Sequence, residues 1–568
     1  MPFPTTARLL FLGILSFACI PHALAAEFRL DLEPATIDID GARSPALTIN
    51  GTLPGPTLRF REGEQVTIHV TNRLKDKSSL HWHGLLLPGE MDGVPGLNGF
   101  KGIEPGETFT YRFTARQSGT YWYHAHSGTQ EQAGIYAPII IDPATPDPVQ
   151  TQQDYVVLLS DYTDTDGYEI LRNLKNDHEY YNRGRRTAST FLEDWRENGL
   201  SDTLKDRAEW GQMRMDPTDL ADVTGYTFLI NGKTPAANWT GTFSTGERIR
   251  LRFINGSAMS FMDVRIPGLK LIVVQADGQN VEPVVVDEFR IAPAETYDVV
   301  VTPREDKAYT IFAEPIDRSG YAAATLAPRE GMRGRLPERR PRTVLTMEDM
   351  GMAHGGHETH AAAGHDGHAS APASASGHEG HGGAPASTSG HEGHTGHAAE
   401  PPKVEATRKK PSGWADAGTP PGARALKYAD LRALTPNADT REPEREIVVR
   451  LGGSMTRYIW TLNGQNAEHT APIALRYNER VKLTFINESM MSHPMHLHGM
   501  FVELVNGQPA GRLPKKHTVN VEPGKSYSVL LTADEPGEWA FHCHLLYHMA
   551  SGMMTKLTVA TLASGHHK

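Results

Sequence analysis

Apolar and polar residues alternate with a period of two in three separated stretches of this chain. The stretches are QVTIHV (65–70), RIRLRF (248–253) and RVKLTF (480–485). Alternate side chains of a β-strand point to opposite faces, so this pattern predicts strands with one buried face. Each stretch follows an Asn-Gly pair and an acidic residue and ends near an asparagine, which indicates three copies of one unit.

A second block recurs farther along each unit. Residues 103–126 align without gaps on residues 521–544, and residues 291–314 form a third copy. Each copy reads as turn, strand, turn, strand. The repeats therefore predict an all-β fold of three β-sandwich domains of the Greek-key type. We place these domains at residues 27–150, 151–330 and 426–568.

Two segments depart from the strand pattern. Residues 165–225 are charged and rich in helix formers, which predicts a small helical insertion in the second domain. Residues 331–425 consist largely of Pro, Gly, Ala, Ser and His, and they contain a tandem repeat at 371–383 and 384–396. Such a composition cannot bury enough apolar surface to offset the entropy of ordering, so it predicts a disordered linker.

The first 26 residues have the pattern of a secretory signal peptide. Arg8 precedes an apolar run over residues 9–20, and an A-x-A sequence at 23–25 fits a cleavage site. The run is too short to span a bilayer, and no later segment is apolar enough to do so. We therefore expect a soluble, exported, periplasmic protein without a membrane span.

Charge and cysteine content narrow the function further. The formal net charge is −11 and the chain has no basic block, which argues against nucleic-acid binding. Of the two cysteines, Cys19 lies in the signal peptide, so the exported chain keeps Cys543 alone and forms no internal disulfide. A lone thiol in an oxidising compartment needs protection, and a metal ion that binds the thiolate supplies it.

Histidines occur in His-x-His pairs at matching positions of the first and third repeats. Residues two apart on a strand point to the same face, so each pair directs two imidazoles the same way. The middle repeat has Val264, Ile266, Phe312 and Glu314 at these positions. Eight imidazoles that face each other across an interface predict a cluster of about three metal ions shared by the outer domains. The eight are His81, His83, His124, His126, His496, His498, His542 and His544.

Cys543 lies between two of these histidines and therefore points to the opposite face of its strand. His493, His548 and Met553 are available as partners. A thiolate, two imidazoles and a thioether are the ligands of a blue-copper electron-transfer site. The first repeat has a serine and an alanine in place of His493 and Cys543, so one such site is expected. Zinc is the rival metal, but a closed tetrahedral zinc site does not explain the methionine.

Four motifs resemble the copper motifs of the multicopper oxidases, the family that includes laccases and ascorbate oxidase: HWHG (81–84), YHAH (123–126), HPMHLHG (493–499) and HCHLLYHMASGM (542–553). The resemblance extends over all three domains. The stretches MDGVPGLNGF (91–100) and RQSGTYWYHAHSGTQEQAG (116–134) are most similar to the periplasmic copper-resistance protein A branch.

This resemblance implies cupredoxin-like domains, four copper ions per chain and a middle domain that acts as a spacer. It implies an oxidoreductase that takes single electrons from a donor and reduces dioxygen to water. The implied ligands are His493, Cys543, His548 and Met553 for the type 1 copper, His81 and His496 for the type 2 copper, and His83, His124, His126, His498, His542 and His544 for the type 3 pair.

Two positions bear on proton supply. In related cuprous oxidases an acid that follows the first HWHG histidine assists proton delivery to the cluster, and the corresponding residue here is Asp92. A β-turn role before Gly93 is the alternative for Asp92. Some cuprous oxidases also carry an acid directly after the histidine that corresponds to His548. This chain has Met549 there, so that proton donor must differ or be absent.

The resemblance leaves the electron donor open between Cu(I), in copper resistance, and small phenols, as in laccases. Soft thioethers favour Cu(I), and six methionines lie near the type 1 motifs, namely Met490, Met491, Met495, Met500, Met549 and Met554. Met495 and Met500 are expected to fill gaps in the core instead. Copper storage without turnover is the remaining alternative, and periplasmic copper-handling proteins are candidate partners.

The linker carries further groups that could bind copper. Its histidines occur as HxxH and GHEGH units, and Met347, Met350 and Met352 precede them. This composition predicts weak capture of extra copper ions at several sites. The alternative is a flexible polar tether with no metal function.

Overall fold

Three pairs of β-sheets follow one another along the chain. The computed structural model describes residues 25–213, 216–342, 344–346, 349 and 418–561. The predicted all-β fold of sandwich domains with a small helical insertion is confirmed. Most of the predicted signal peptide and most of the predicted linker lie outside the described residues.

The N-terminal pair consists of two four-stranded sheets, with strand orders β2-β1-β4-β6 and β3-β8-β7-β5. Its own apolar core is built around buried residues such as Trp82 and Tyr111. The strands are β1 (Ala25–Ile39), β2 (Ala42–Ile49), β3 (Leu58–Arg61), β4 (Gln65–Asn72), β5 (His81–His83), β6 (Thr108–Thr114), β7 (Gly119–His124) and β8 (Tyr136–Asp142).

The middle pair has a six-stranded sheet, β10-β9-β12-β17-β14-β15, and a five-stranded sheet, β11-β19-β18-β13-β16. The strands are β9 (Gln153–Tyr162), β10 (Thr227–Ile230), β11 (Thr240–Thr242), β12 (Ile249–Asn255), β13 (Met262–Arg265), β14 (Leu271–Ala276), β15 (Gln279–Val286), β16 (Glu288–Ile291), β17 (Thr296–Val301), β18 (Tyr309–Pro315) and β19 (Ala322–Ala327).

The C-terminal pair repeats this architecture with the orders β21-β20-β23-β28-β25-β26 and β22-β30-β29-β24-β27. It shares one continuous apolar core with the middle pair. The strands are β20 (Arg445–Ser454), β21 (Ile459–Leu462), β22 (Ile473–Arg476), β23 (Arg480–Asn487), β24 (His493–Leu497), β25 (Val502–Leu504), β26 (Lys515–Lys516), β27 (Thr518–Val521), β28 (Ser526–Thr532), β29 (Gly537–Cys543) and β30 (Met554–Ala560).

Strand pairing shows that the three sequence repeats are one structural unit. The three alternating stretches form β4, β12 and β23, as predicted. Each pairs in parallel with the first strand of its own sheet pair, β1, β9 or β20. Each also pairs antiparallel with the first strand of the second repeated block, β6, β17 or β28. Corresponding positions of the repeats therefore occupy corresponding places in the fold.

Strand β12 departs from the predicted burial pattern. The alternation predicts one buried face, but all seven residues of β12 are buried. The polar face is covered because the N-terminal pair packs on it. The Arg252 guanidinium donates to Thr120 of β7 at 3.0 Å and to Asp298 at 3.2 Å. The charged face thus serves as an interface between sheet pairs.

The predicted insertion at 165–225 contains three helices, α1 (Gly167–Asn176), α2 (Ala188–Asn198) and α3 (Leu200–Met213), and α4 (Leu546–Ala550) follows β29. The Asp166 carboxylate caps α1 by accepting the backbone N–H groups of residues 168 and 169. Ile170 and Leu174, one helical turn apart, are the apolar residues that α1 buries.

The described ends of the predicted linker are packed against the middle sheet pair. At the first end, Arg340 donates to the Glu288 carboxylate at 3.0 Å, and Leu345 is buried. At the second end, the Arg424 backbone N–H donates to Asp287 at 2.9 Å. The composition of these ends predicts disorder. They nevertheless pack on the fold because their residues donate hydrogen bonds to carboxylates of the middle sheet pair.

Candidate metal centre

The predicted His-x-His pairs lie at the ends of four strands, two from each outer sheet pair. In the N-terminal pair, β5 and β7 place His81 directly opposite His124. In the C-terminal pair, β24 and β29 place His496 directly opposite His542. The same cross-strand register in both pairs brings four imidazoles to one edge of each sandwich.

The two edges face each other with approximate twofold symmetry. The ring of His81 stacks on that of His498, and the ring of His83 stacks on that of His496, each with centroids 3.7 Å apart. The first histidine of one pair thus meets the second histidine of the other. All eight predicted imidazoles are brought together between the N-terminal and C-terminal sheet pairs.

The imidazole nitrogens fall into groups of three that could each hold a metal ion. The ligand atoms within each group lie within 4.8 Å of one another. Three groups contain only predicted histidines, namely His83, His124 and His544; His126, His498 and His542; and His81, His496 and His498, and a fourth combines His83 and His496 with His517. The Nε2 atom of His542 lies 3.1 Å from that of His498 and 3.4 Å from that of His126. Two nitrogens that share a metal at about 2 Å have about this separation.

Burial favours the uncharged form of seven of these imidazoles. Removal from water is the largest cause that lowers the pKa of His83, His124, His126, His496, His498 and His544, and it lowers the pKa of His542 to about 3. Neighbouring imidazoles lower these pKa values further. Neutral imidazole is the form that binds metal.

Several buried ring nitrogens have no hydrogen-bond partner among the residues that the structure describes. They are the Nε2 atoms of His81, His83, His124, His496 and His544 and the Nδ1 atom of His83. Unpaired buried polar atoms cost free energy, so such a group of lone pairs fits a metal cluster better than a packed core. The residues present therefore fit the copper ions that the sequence motifs imply.

The opposite ring nitrogens are held by oxygen atoms, as is usual for metal-binding histidines. The Nδ1 atoms of His81, His496 and His542 lie 2.9, 2.7 and 2.9 Å from the backbone carbonyl oxygens of Asp92, His517 and Cys543. These contacts place the ring proton on Nδ1. The Nε2 lone pair of each ring is then left for a metal.

Asp92 links the two halves of the cluster. It ends a short 3-10 helix at 89–91 and is buried. Its carbonyl oxygen holds His81, while its carboxylate lies 2.9 Å from Nδ1 of His498 in the other half. Asp92 therefore combines the turn position expected for an Asp-Gly sequence with direct contact to the cluster histidines.

Cys543 lies on the opposite face of β29 from His542. Its Sγ atom is 3.5 Å from Nδ1 of His493 and 3.7 Å from Nδ1 of His548. The two Nδ1 atoms are 3.1 Å apart, so the three atoms form a compact triangle. The side chain of Met553 is fully buried, and its backbone carbonyl accepts the N–H of Cys543 at 3.1 Å. Burial raises the pKa of the Cys543 thiol, and a bound metal ion would reverse this effect by stabilising the thiolate.

The helical insertion reaches this second site through Asp222. The Asp222 carboxylate lies 2.7 Å from Nε2 of His548 and accepts the hydroxyl of Tyr458 at 2.6 Å. The ring of Trp460 stacks on that of His548, with centroids 3.8 Å apart. His548 is therefore fixed on both sides, with Nδ1 directed at Cys543 and Nε2 at a carboxylate.

A cavity of about 450 Å³ opens beside the cluster. Val94, His126, Met549 and Met554 are among its lining residues. His126 is partly exposed, whereas the other seven cluster histidines are buried. Solvent and small molecules therefore approach the cluster most closely at His126.

Three residues near these sites were missed by the sequence analysis. The Glu131 carboxylate lies 2.8 Å from Nδ1 of His124, and burial raises its pKa. His517 packs against His83 with ring centroids 4.7 Å apart, and Asp222 contacts His548 as described. Glu131 lies five residues after His126, within the stretch 116–134 that resembles the multicopper oxidases, so its position near the cluster could have been inferred from the sequence. Asp222 and His517 lie in no motif.

The linker methionines Met347, Met350 and Met352 and the linker histidines lie outside the described residues, so copper capture there stays a prediction. Met495 and Met500 are buried in the apolar core, as predicted. Among the described residues, the structure has no helix with both the length and the apolar character needed to cross a membrane.

Known proteins are similar to this chain in sequence and in fold. Family models described as multicopper oxidase match residues 31–146, 153–331 and 440–562. "Copper resistance protein A" of Escherichia coli is 48% identical, over 94% of this chain and 92% of that protein. "Multicopper oxidase MmcO" of Mycobacterium tuberculosis is 31% identical, over 95% and 88%. The crystal structure of a laccase from Botrytis aclada superposes with a TM-score of 0.63 at 21% identity, over 95% of this chain and 88% of that one.

Proposed function

Because this chain belongs to the multicopper oxidase family, we propose that it oxidises Cu(I) to Cu(II) and delivers the electrons to dioxygen. The balanced reaction consumes four Cu(I) ions, one dioxygen molecule and four protons, and it yields four Cu(II) ions and two water molecules. The role that fits this reaction is copper resistance in the periplasm, since Cu(II) is the less toxic ion.

The arrangement around Cys543 carries the oxidase proposal. The thiol has His493 and His548 on one face of β29, and the flanking histidines 542 and 544 belong to the cluster on the other face. Resident copper ions would supply one-electron transfer at the Cys543 site and multi-electron transfer at the cluster. The protein supplies a short covalent path between them, because the cysteine and both histidines are consecutive residues.

The proposed copper ligands are divided between the Cys543 site and the histidine cluster. His493, Cys543, His548 and Met553 would hold the type 1 copper, and His81 and His496 the type 2 copper. The six remaining cluster histidines would hold the type 3 pair. Support comes from the burial of these groups, the unpaired ring nitrogens and the carbonyl and carboxylate contacts behind the rings.

Asp92 is the proposed proton carrier at the cluster. Its carboxylate is 2% exposed and contacts a histidine from each half, so it lies where dioxygen reduction consumes protons. Glu131 is a second buried carboxylate beside His124. It offers a carboxyl group near the cluster in a chain that has Met549 where some cuprous oxidases have an acid.

Two observations favour Cu(I) as the donor. The 48% identical relative bears the name copper resistance protein A. Met490 and Met549, which lie close in sequence to His493 and His548, are partly buried and pack against the core. Thioethers bind Cu(I) in preference to harder ions. The signal-peptide pattern of the sequence supports the periplasmic location and, with it, contact with copper-handling proteins.

Oxygen uptake by the copper-loaded protein tests the proposal. We expect a higher kcat/KM with Cu(I) than with any phenol, measured at saturating dioxygen with controls for non-enzymatic Cu(I) oxidation. A higher kcat/KM for a phenol, together with no uptake on Cu(I), would identify a laccase. Tight copper binding without uptake on either donor would identify a storage protein.

A further inference from the structure

The middle sheet pair has none of the copper-motif histidines, yet one of its turns reaches the cluster. Asp277 and Gly278 join β14 to β15 in a two-residue hairpin loop. Their φ angles are 46° and 72°. Positive φ at both central residues is typical of a type I′ turn, for which an Asp-Gly sequence is well suited. The side chain of Asp277 is fully buried.

The Asp277 carboxylate binds a short segment of the C-terminal sheet pair. One oxygen, Oδ2, accepts the backbone N–H groups of His517 and Thr518 at 3.1 Å each and lies 3.1 Å from the Lys516 ammonium. The other oxygen, Oδ1, accepts the backbone N–H of Thr296 at 3.1 Å, which anchors the side chain in its own sheet pair. Asp277 therefore ties residues 516–518 to the middle sheet pair.

The tied segment holds one of the cluster histidines. The His517 carbonyl oxygen accepts the Nδ1–H group of His496 at 2.7 Å. This bond fixes the ring orientation of His496, and its Nε2 atom has no partner within the described part of the chain. A displacement of residues 516–518 would therefore move the nitrogen that His496 presents to a metal.

The same turn also meets the N-terminal sheet pair. A Cβ atom at Gly278 would overlap the ring of Tyr121, and a Cβ atom at Gly119 would overlap the backbone of Gly278. Gly119 and Tyr121 lie on β7, the strand that ends at His124. One turn of the middle pair is thus in close contact with elements that carry histidines from both halves of the cluster.

A buried ion pair is a weak source of net stability, because both charges lose their hydration, but it restricts the arrangement of the groups that form it. We propose that Asp277 is a positioning residue of the copper cluster, which holds the 516–518 segment so that His496 presents Nε2 to the type 2 copper. This inference rests on the proposed copper cluster and gives the middle domain a role beyond that of a spacer.

The test compares Asp277→Asn with Glu295→Gln. Both remove a buried carboxylate that pairs with Lys516, at 3.1 and 3.0 Å respectively. Only Asp277 also accepts the backbone groups of residues 517 and 518. An amide has a single acceptor oxygen, so the substituted side chain cannot serve both Thr296 and the 516–518 segment. Lys516 keeps one carboxylate in either variant.

We expect Asp277→Asn to release the type 2 copper to a chelator about 10–100-fold more readily than wild type, as is typical when a group behind a ligand is lost. Copper content and the type 2 electron paramagnetic resonance spectrum are measured, with the type 1 absorption band as a reference that should not change. Glu295→Gln should behave as wild type. If Asp277→Asn folds in low yield, the same comparison is made with Asp277→Asn/Lys516→Met, which also removes the ammonium.

Equal copper release and identical type 2 spectra in the two variants would overturn the inference. Joint loss of the type 1 and type 2 signals would also overturn it, because a general loss of structure would then explain the result. A wild-type protein with no type 2 signal would contradict the proposed copper cluster itself. Because no electron donor is added, a wrong assignment of the donor leaves this test unaffected.

Discussion

The two candidate copper sites differ in how many sheet pairs build them. The candidate ligands of the Cys543 site all lie in the C-terminal pair, on β24, at the end of β29, on α4 and at the residue before β30. The histidine cluster is divided between two pairs whose copper motifs are far apart in sequence, as for His126 and His542, which are 416 positions apart. The first site depends on the packing within one sandwich, and the second depends on an interface.

Contacts that hold this interface involve β29, the strand that carries His542, and the turn before it. The Asn98 side chain exchanges two hydrogen bonds with the backbone of residue 538 on β29, at 2.7 and 2.8 Å. Arg116 pairs with Glu535 at 2.6 Å. A perturbation of the interface should therefore disturb the cluster before it disturbs the Cys543 site, whereas removal of a ligand should affect only its own site.

Cys543→Ser gives the largest expected effect, because it removes the one thiolate of the first site. Oxygen uptake should fall by more than about 100-fold, beyond the loss typical of residues that only support ligands. The type 1 absorption band should disappear, and copper content should fall from four to three ions per chain because the cluster ligands are unchanged. Oxygen uptake, the absorption spectrum and the copper content are measured on the same sample.

His542→Ala is the matched variant on the other face of the same strand. It should reduce the cluster copper content while the type 1 band persists. Wild-type oxygen uptake by Cys543→Ser would contradict the electron path through this residue. Loss of both sites in either variant would contradict their structural independence.

Asp92→Asn should have an intermediate effect, confined to the cluster. An amide keeps an acceptor for His498 but cannot deliver a proton, so kcat should fall by about 100-fold, within the range for a lost general acid. Reduction of the type 1 copper by the donor without dioxygen should proceed at the wild-type rate. Steady-state uptake and anaerobic stopped-flow absorption separate the two steps.

Glu90→Gln is the control for Asp92→Asn, because Glu90 is an exposed residue of the same short helix. It should retain wild-type kcat. An unchanged kcat in Asp92→Asn would contradict proton delivery by Asp92 and would leave only its structural role in the turn. An equal loss of kcat in Glu90→Gln would show that the effect comes from disturbance of the short helix and not from the Asp92 carboxylate.

The sequence predicts those parts of both sites that depend on strand periodicity and on the alignment of the repeats. A period of two sets the face of each residue on a strand, so the opposite directions of Cys543 and His542 follow from their adjacency. The repeats then relate β4, β12 and β23, because each copy pairs with the same partners. The histidines that meet at the cluster and the strands that carry them are predictable for this reason.

The missed contacts depend on how the sandwiches pack on one another. Asp222 contacts His548 across 326 positions, and Asp277 contacts the N–H of His517 across 240. The sequence around Asp277 predicts only a hairpin turn, since the Asp-Gly pair has no feature that identifies its partner. The complete burial of β12 has the same origin, because its polar face is covered by another sheet pair.

Asp222→Asn tests the Cys543 site and has the smallest expected effect. The Asp222 carboxylate holds Nε2 of His548 at 2.7 Å, so it orients that ring and adds negative charge behind it. The amide should slow reduction of the type 1 copper by Cu(I) by about tenfold, the low end of the range for such supporting groups. Cluster copper content and the type 2 spectrum should stay as in wild type.

The control for this variant is Asp219→Asn, which changes a buried carboxylate in the same loop that has no hydrogen bond to His548 among the described residues. Anaerobic stopped-flow reduction of both variants, followed at the type 1 band, is the measurement. Wild-type rates in both variants would show that Asp222 does not influence electron transfer to this site. A slower rate in Asp222→Asn alone would mean that the rate of type 1 copper reduction depends on a residue of the middle sheet pair. The candidate ligands of that site nevertheless all lie in the C-terminal sheet pair.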